Sequence, residues 1–192
     1  MFTVIVPALL ARNSALVSKI IKSRESFFSP RVDALSDTEN TVYIAYENKP
    51  LGVFASCRLN LLKDSPVAFY YQKRFNSQQL KTMREASLIS FEMDPDHKGH
   101  ENGAFFIAIQ DFYRGLYQVF INLAVAQNLS DFVTLGEKEQ DHQDCVLYGS
   151  WPFQKTHKIL LNKIPFMIGE LPMGRYHHRE PIPDERFDTF IM

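Results

Sequence analysis

Cysteine and tryptophan are nearly absent: two and one in 192 residues. Cys57 and Cys145 lie far apart, which excludes a disulfide framework and a four-cysteine zinc site; whether they pair with each other stays open, and a reducing cytoplasm suits them best. Charge of one sign is lacking too, with 21 Lys+Arg against 22 Asp+Glu and a formal net charge of −1. Without a basic run to neutralise phosphates, the chain is not expected to bind nucleic acid. With 45% hydrophobic residues, intrinsic disorder is excluded for most of its length. No stretch of about twenty uncharged apolar residues occurs, so no spanning helix and no membrane partner are expected. Met1–Leu10 is short, has no cationic leader and is broken by Pro7, a poor secretory signal. These absences describe a soluble cytoplasmic protein. What is abundant is rings, 16 Phe and 8 Tyr, enough for an aromatic-rich core that needs no metal or disulfide.

The pattern predicts one domain over residues 1–173 and an irregular, proline-rich tail over 174–192. Leu16, Val17, Ile20, Ile21, Phe27 and Phe28 recur at helical spacing between Asn13 or Ser14, as N-cap, and Pro30. Thr41–Tyr46 and Leu51–Leu61 are β-rich runs joined by Glu47-Asn48-Lys49-Pro50, a β-hairpin. Val67–Phe75 is aromatic and ambiguous. Arg84–Met93 reads as a strand, and 96–103 as a polar loop. Ala104–Gln127 reads as a helix of ~36 Å, apolar over more than half its girth and so packed on a sheet. Asp131–Leu135 is a strand directly after it, so strand, helix and strand form a βαβ unit with a parallel pair. A polar helical piece over 137–148, a turn at Gly149–Phe153 and a strand-like pattern over Lys158–Ile168 follow. The expected class is α/β (α+β): a mixed, mostly antiparallel central sheet with flanking helices and one parallel βαβ crossover. A ligand in such a sheet favours the crevice at the carboxyl ends of the parallel strands.

Several short matches fall in one order along Ser14–Met173. Arg24 and Phe28 have the spacing Arg-x-x-x-Phe, and Asp37 stands six residues before Tyr43. Ser56-Cys57-Arg58-Leu59 ends a hairpin strand with an Arg-Leu pair, Glu85-Ala86-Ser87 opens a strand, and Gly149-Ser150-Trp151-Pro152 forms a late turn. Together they resemble the GNAT-type acyltransferases, and within them the acyl-homoserine-lactone (autoinducer) synthases. Two departures stand out. The arginine of the family's Glu-x-Ser-Arg strand motif is replaced by Leu88, counting from Glu85, or by Ser90, aligning on Phe91; the tryptophan after the first helix is absent.

The resemblance implies an acyl group moved from an acyl-CoA or acyl-carrier-protein thioester to a small-molecule amine, by direct attack and without a metal. A homodimer and a carrier-protein partner are open. Alternatives are lactone synthesis from S-adenosylmethionine and a non-catalytic binding or regulatory module of the same fold. Glu85 would take the amine's proton and Tyr148 would protonate the departing thiolate. Arg24, Phe28, Asp37 and Arg58 would bind substrate, Arg58 gripping a carboxylate with two N–H groups. Lys98, Gly99, Asn102 and Gly103 would hold the donor's phosphate at the N-terminus of the long helix, where free N–H groups and glycine backbone attract anions. His97 with His100, and His177 with His178, lack the further ligands a zinc ion needs.

Overall fold

Period-two alternation in the hairpin sequence sets up the sheet. In the computed structural model, which describes residues 1–27, 37–94, 103–127, 129, 131–136, 139–161, 163–173 and 187–189, strands β2 (Val42–Asn48) and β3 (Val53–Leu61) pair antiparallel across a 3₁₀ turn at Lys49–Leu51. Gly52 closes that turn at φ 61, a left-handed conformation that costs glycine nothing. β1 (Phe2–Ile5) joins the outer side of β2, and β4 (Arg84–Met93) joins β3 along its whole length.

The expected crossover follows. β4 leads through the 24-residue helix Ala104–Gln127 to β5 (Asp131–Gly136), which lies parallel to it. β6 (Lys155–Leu161) and β7 (Ile164–Pro172) form a second hairpin, with β7 against β5, where the sequence pattern read as one strand-like run. The break is at Lys163, with φ 68. Within the segment expected to be irregular, Phe187–Thr189 form a short strand, β8, parallel to β1. The order is β6-β7-β5-β4-β3-β2-β1-β8, a mostly antiparallel mixed sheet, as expected.

Among the described residues five α-helices cover this sheet: α1 (Ser14–Phe27), α2 (Ala68–Tyr71), α3 (Ser77–Thr82), α4 (Ala104–Gln127) and α5 (Glu139–Gly149). One face carries the main core, where Val42, Ile44, Ala55, Cys57, Leu59, Ala86 and Phe132 meet Phe112, Leu116 and Phe120 of α4 and Cys145 of α5. α4 lies so close that a Cβ on Gly115 would fall 2.3 Å from the Phe2 ring, so only glycine fits there. The two cysteines are not bridged to each other and are both buried. The other face has two separate apolar clusters. α1 sets Ile20 on Ile5, Tyr43, Ala45 and Phe54; α2 and its flanks set Leu62, Val67, Tyr71 and Met83 on Leu88, Val133, Leu135, Phe166 and Ile168. The gap between these clusters is where the polar residues lie. Among the described residues no helix is long and apolar enough to cross a membrane.

His142 of α5 is buried with Nε2 2.7 Å from Thr134 Oγ1 and Nδ1 without a hydrogen-bond partner among the described residues. Burial holds its pKa down at about 4, so the folded ring stays neutral. Below pH ~6.5 the unfolded chain takes up this proton and the folded one does not. Stability is therefore expected to fall as pH drops from about 6.5 toward about 4, by up to ~3 kcal/mol from this group. Urea unfolding of wild type and His142→Leu across that range checks it: the variant has the shallower pH slope, and equal slopes would refute the assignment.

Candidate active site

The middle of the sheet face between α1 and α2 is lined by polar side chains at alternate positions of two paired strands. Ser56, Arg58 and Asn60 of β3 point to this face while Cys57 and Leu59 enter the main core. Glu85 and Ser87 of β4 do the same around Ala86. Arg58, Asn60 and Glu85 are each 0% exposed.

A buried guanidinium keeps its charge, so its N–H groups must be satisfied. Arg58 donates from Nε and Nη2 to Ser87 Oγ at 3.2 and 3.0 Å, and from Nη1 to Asp37 Oδ1 at 3.2 Å. Arg24 of α1 reaches the same carboxylate, at 3.3 and 3.1 Å to its two oxygens, and Tyr43 donates its hydroxyl to Oδ2 at 2.7 Å. Burial pushes the Asp37 carboxyl up, but Arg24, the Tyr43 hydroxyl and Arg58 outweigh it and hold the pKa below the ordinary value. The turn that carries Asp37 is pinned: Thr38 N–H donates to Thr41 Oγ1 at 2.7 Å, and that hydroxyl donates to Asn60 Oδ1 at 2.7 Å.

Glu85 is two residues before Ser87 on the same face. Its Oε2 accepts from Ser65 Oγ at 2.5 Å and from Tyr71 OH at 2.8 Å, whereas Oε1 has no hydrogen-bond partner among the described residues. Burial raises its pKa, and the Ser65 and Tyr71 hydroxyls, Arg58 and the Ser87 hydroxyl offset part of that rise. The result is a carboxylate with stronger proton affinity than usual and one oxygen unclaimed. Farther along, Ser90 Oγ lies 2.8 Å from Ser56 Oγ and 3.5 Å from Ser23 Oγ of α1.

Between Ser87 and Ser90 the strand bulges. Arg58 pairs with Ser87 and Ser56 with Ser90, so two residues of β4, Leu88 and Ile89, oppose one of β3, and Leu88 sits at φ 51. A left-handed leucine costs roughly 1–2 kcal/mol, which packing must offset. The parallel pairing of β4 with β5 stops at the same place: it covers Arg84–Ser87 against Phe132–Leu135 and no more. Among the described residues β4 runs on to Met93 with β3 alone beside it, and this freed side begins two residues past Glu85. The bulge also resolves the motif position that Leu88 and Ser90 share by different counts. Leu88 joins the apolar cluster under α2, and Ser90 faces the polar residues, so a hydroxyl stands there in place of a guanidinium.

Of the residues expected at the site, Arg24, Asp37, Arg58 and Glu85 converge. Tyr148 does not join them. It stacks on Tyr113 with ring centroids 6.2 Å apart, against the core on the opposite face of the sheet. It also sits at the far end of an 11-residue helix that starts just after β5, ~15 Å along its axis. Gly103 precedes α4 at φ 106, with nothing within 4 Å of where a Cβ would be. Phe28, Lys98, Gly99 and Asn102 lie outside the described residues. Ser65, Tyr71, Ser87, Ser90 and Asn60 complete the site; the sequence signal for Asn60 is the polar alternation Ser56-x-Arg58-x-Asn60. Two cavities of about 480 and 430 Å³ open at the β2–β3 turn, lined by Glu47 and Lys49, and neither reaches these residues. Among the described residues no group of His, Cys, Asp and Glu could hold a metal ion.

No protein-family model matches the chain, and no curated protein matches it in sequence. Among solved structures, a CoA-dependent acyl-homoserine lactone synthase, MesI, superposes with TM-score 0.57 at 10% identity, covering 92% of this chain and 93% of that one. The two chains share one fold. It is the fold that the sequence resemblance implied. FeeM, an N-acyl amino acid synthase from uncultured soil microbes, also matches, with TM-score 0.49, 10% identity and the same coverage.

Asp37→Asn removes a carboxylate that both guanidiniums share. Breaking a fully buried pair costs ~3–5 kcal/mol, and partial exposure of Asp37 lowers the expected loss to ~2 kcal/mol. Denaturant unfolding at pH 7 measures it; a change under ~0.5 kcal/mol would remove Asp37 from the network's support.

Proposed function

We propose that this chain is an N-acyltransferase that moves an acyl group from an acyl-CoA thioester to the amine of a small molecule. One observation carries the reading: β4 and β5 cease to pair beside a bulge, two residues beyond a buried glutamate of raised pKa. Such a glutamate suits general-base work near neutral pH.

A thioester lying along the freed side of β4 would meet backbone N–H groups that no described strand engages, and these suit the oxyanion formed when the carbonyl is attacked. The amine lone pair forms the new C–N bond, the C–S bond breaks, and the thiolate leaves. The amine's proton passes to Glu85 and finally to the thiolate or solvent. A thiol of ordinary pKa ~8.5 leaves without a strong acid, so the distance of Tyr148 is no obstacle. Gly103 and the first turn of α4 would face the donor's phosphates, whose charge the helix N-terminus favours. MesI is described as CoA-dependent, which favours coenzyme A over a carrier protein as donor here. The acceptor would meet Arg58, Asp37 and Arg24. The mechanism needs no metal.

Thiol release, followed colorimetrically with acetyl- to long-chain acyl-CoAs, acyl-carrier protein, a panel of amines and S-adenosylmethionine, tests the reading. Glu85→Gln, which preserves volume and an acceptor for Ser65 and Tyr71, is expected to lower kcat about 10²-fold or more with the donor KM unchanged. The acid limb of wild-type kcat/KM is expected above the ordinary glutamate range. Turnover with S-adenosylmethionine would identify a lactone synthase. No release, together with no thermal stabilisation by any thioester, would leave the non-catalytic module.

A further inference from the structure

Asn60 is fully buried on β3 and is the Cα partner of Glu85 on β4. Directly opposed residues in an antiparallel pair point to the same face, with Cβ atoms ~4.5–5.5 Å apart. Each has one polar atom without a hydrogen-bond partner among the described residues: the amide nitrogen Nδ2 of Asn60 and Oε1 of Glu85.

The amide's orientation is set by its neighbours. Thr41 Oγ1 accepts from Thr38 N–H and donates to Asn60 Oδ1 at 2.7 Å, an arrangement that turns the NH2 group away from that turn. Glu85 is oriented too, because Ser65 and Tyr71 hold Oε2. A donor and an acceptor are thus left in opposed positions, buried and not bonded to each other. The group that complements both is one that accepts once and donates once: a water or a hydroxyl. The nucleophilic amine does not qualify, since accepting from Asn60 would occupy the lone pair it needs for attack.

We infer that Asn60 is a positioning residue that holds a water molecule on Glu85 Oε1, and that this water relays the acceptor's proton. The inference rests on the acyltransferase reading for its role and on the two opposed polar atoms for its site. As the amine attacks, it gives one proton to the water, and the water gives one of its own to Oε1. The water is regenerated, the C–N bond forms, and the proton leaves Glu85 for the departing thiolate or solvent. No oxidant, metal or further reactant is required.

The test compares wild type with Asn60→Asp and Asn60→Leu. Asp keeps an oxygen for Thr41 and replaces the donor by an acceptor; Leu removes both. Asn60→Asp is expected to lower kcat ~10-fold or more, leave the donor KM within twofold, and move the acid limb of the pH–kcat profile up by ~1 unit. A second readout needs no turnover: Glu85's carboxyl stretch, identified by its absence in Glu85→Gln, is titrated by difference infrared spectroscopy. Its midpoint is expected to rise, and its frequency to shift, in Asn60→Leu. Profiles and band unchanged in both variants, with only the melting temperature lowered, would overturn the inference. A wild type without acyl transfer but with the band shift retains the Asn60–Glu85 water site and removes only its catalytic role. If Asn60→Asp does not fold, Asn60→Leu decides alone.

Discussion

The charge on Arg58 is the constraint around which this face of the sheet is built. A guanidinium with no exposure can neither shed its charge nor go without partners, and desolvating it costs several kcal/mol unless carboxylates and hydroxyls surround it. Ser87 takes two of its N–H groups across the β3–β4 pair, and Asp37 takes a third from the turn before β2. Asp37 in turn fixes Arg24, and with it the inner face of α1. The two apolar clusters on this face therefore stay separate, because the strip between them is committed to polar contacts. In the proposed reaction that strip is where an acceptor meets its base.

The bulge links this strip to the freed side of β4. Inserting Leu88 and Ile89 opposite one residue of β3 shifts the alternation, so Ser87 and Ser90 both face the strip although three positions apart. Without the bulge, Ser90 would enter the main core, where an unpartnered hydroxyl costs more than it returns. The same irregularity turns the strand just where β5 stops pairing, as bulges do when they end a ladder. A left-handed leucine is a poor local choice, and the apolar contacts of its side chain beneath α2 hold it there.

Elements whose signals are local and strong were legible in the sequence. The apolar stripe of Ala104–Gln127 and the β-rich run Arg84–Met93 have the same bounds in the structure, and the hairpin differs by a residue or two. α3 was not legible: a capping box joins Asn76 and Gln79 at its start, but a six-residue helix leaves little apolar period to find. The β6–β7 hairpin was missed because its turn at Lys163 lacks the glycine that usually marks a left-handed position. In the site, Arg58 and Glu85 were legible through short motifs. Tyr71 and Ser65 were not, because their role arises from a loop folding back on β4, and no spacing along the chain encodes that contact. Tyr148 has its expected role from the resemblance alone; the helix that carries it sets it against Tyr113, on the opposite face of the sheet.

In the proposed reaction the base is tuned by opposed charges. Here two buried guanidiniums face the partly exposed Asp37, of lowered pKa, and the buried Glu85, of raised pKa. With Glu85 ionised these four sum to zero; with it protonated they sum to +1. Burial favours the protonated form, and the Ser65 and Tyr71 hydroxyls together with Arg58 penalise it, so opposed influences meet at this one group. A glutamate governed by burial alone would hold its proton too long to act as a base, and one governed by arginine alone would be too weak to take it. Ser87 stands between them, accepting from Arg58 two residues along the strand from Glu85. Its hydroxyl keeps the guanidinium near enough to be felt without forming the direct ion pair that would abolish the carboxylate's basicity.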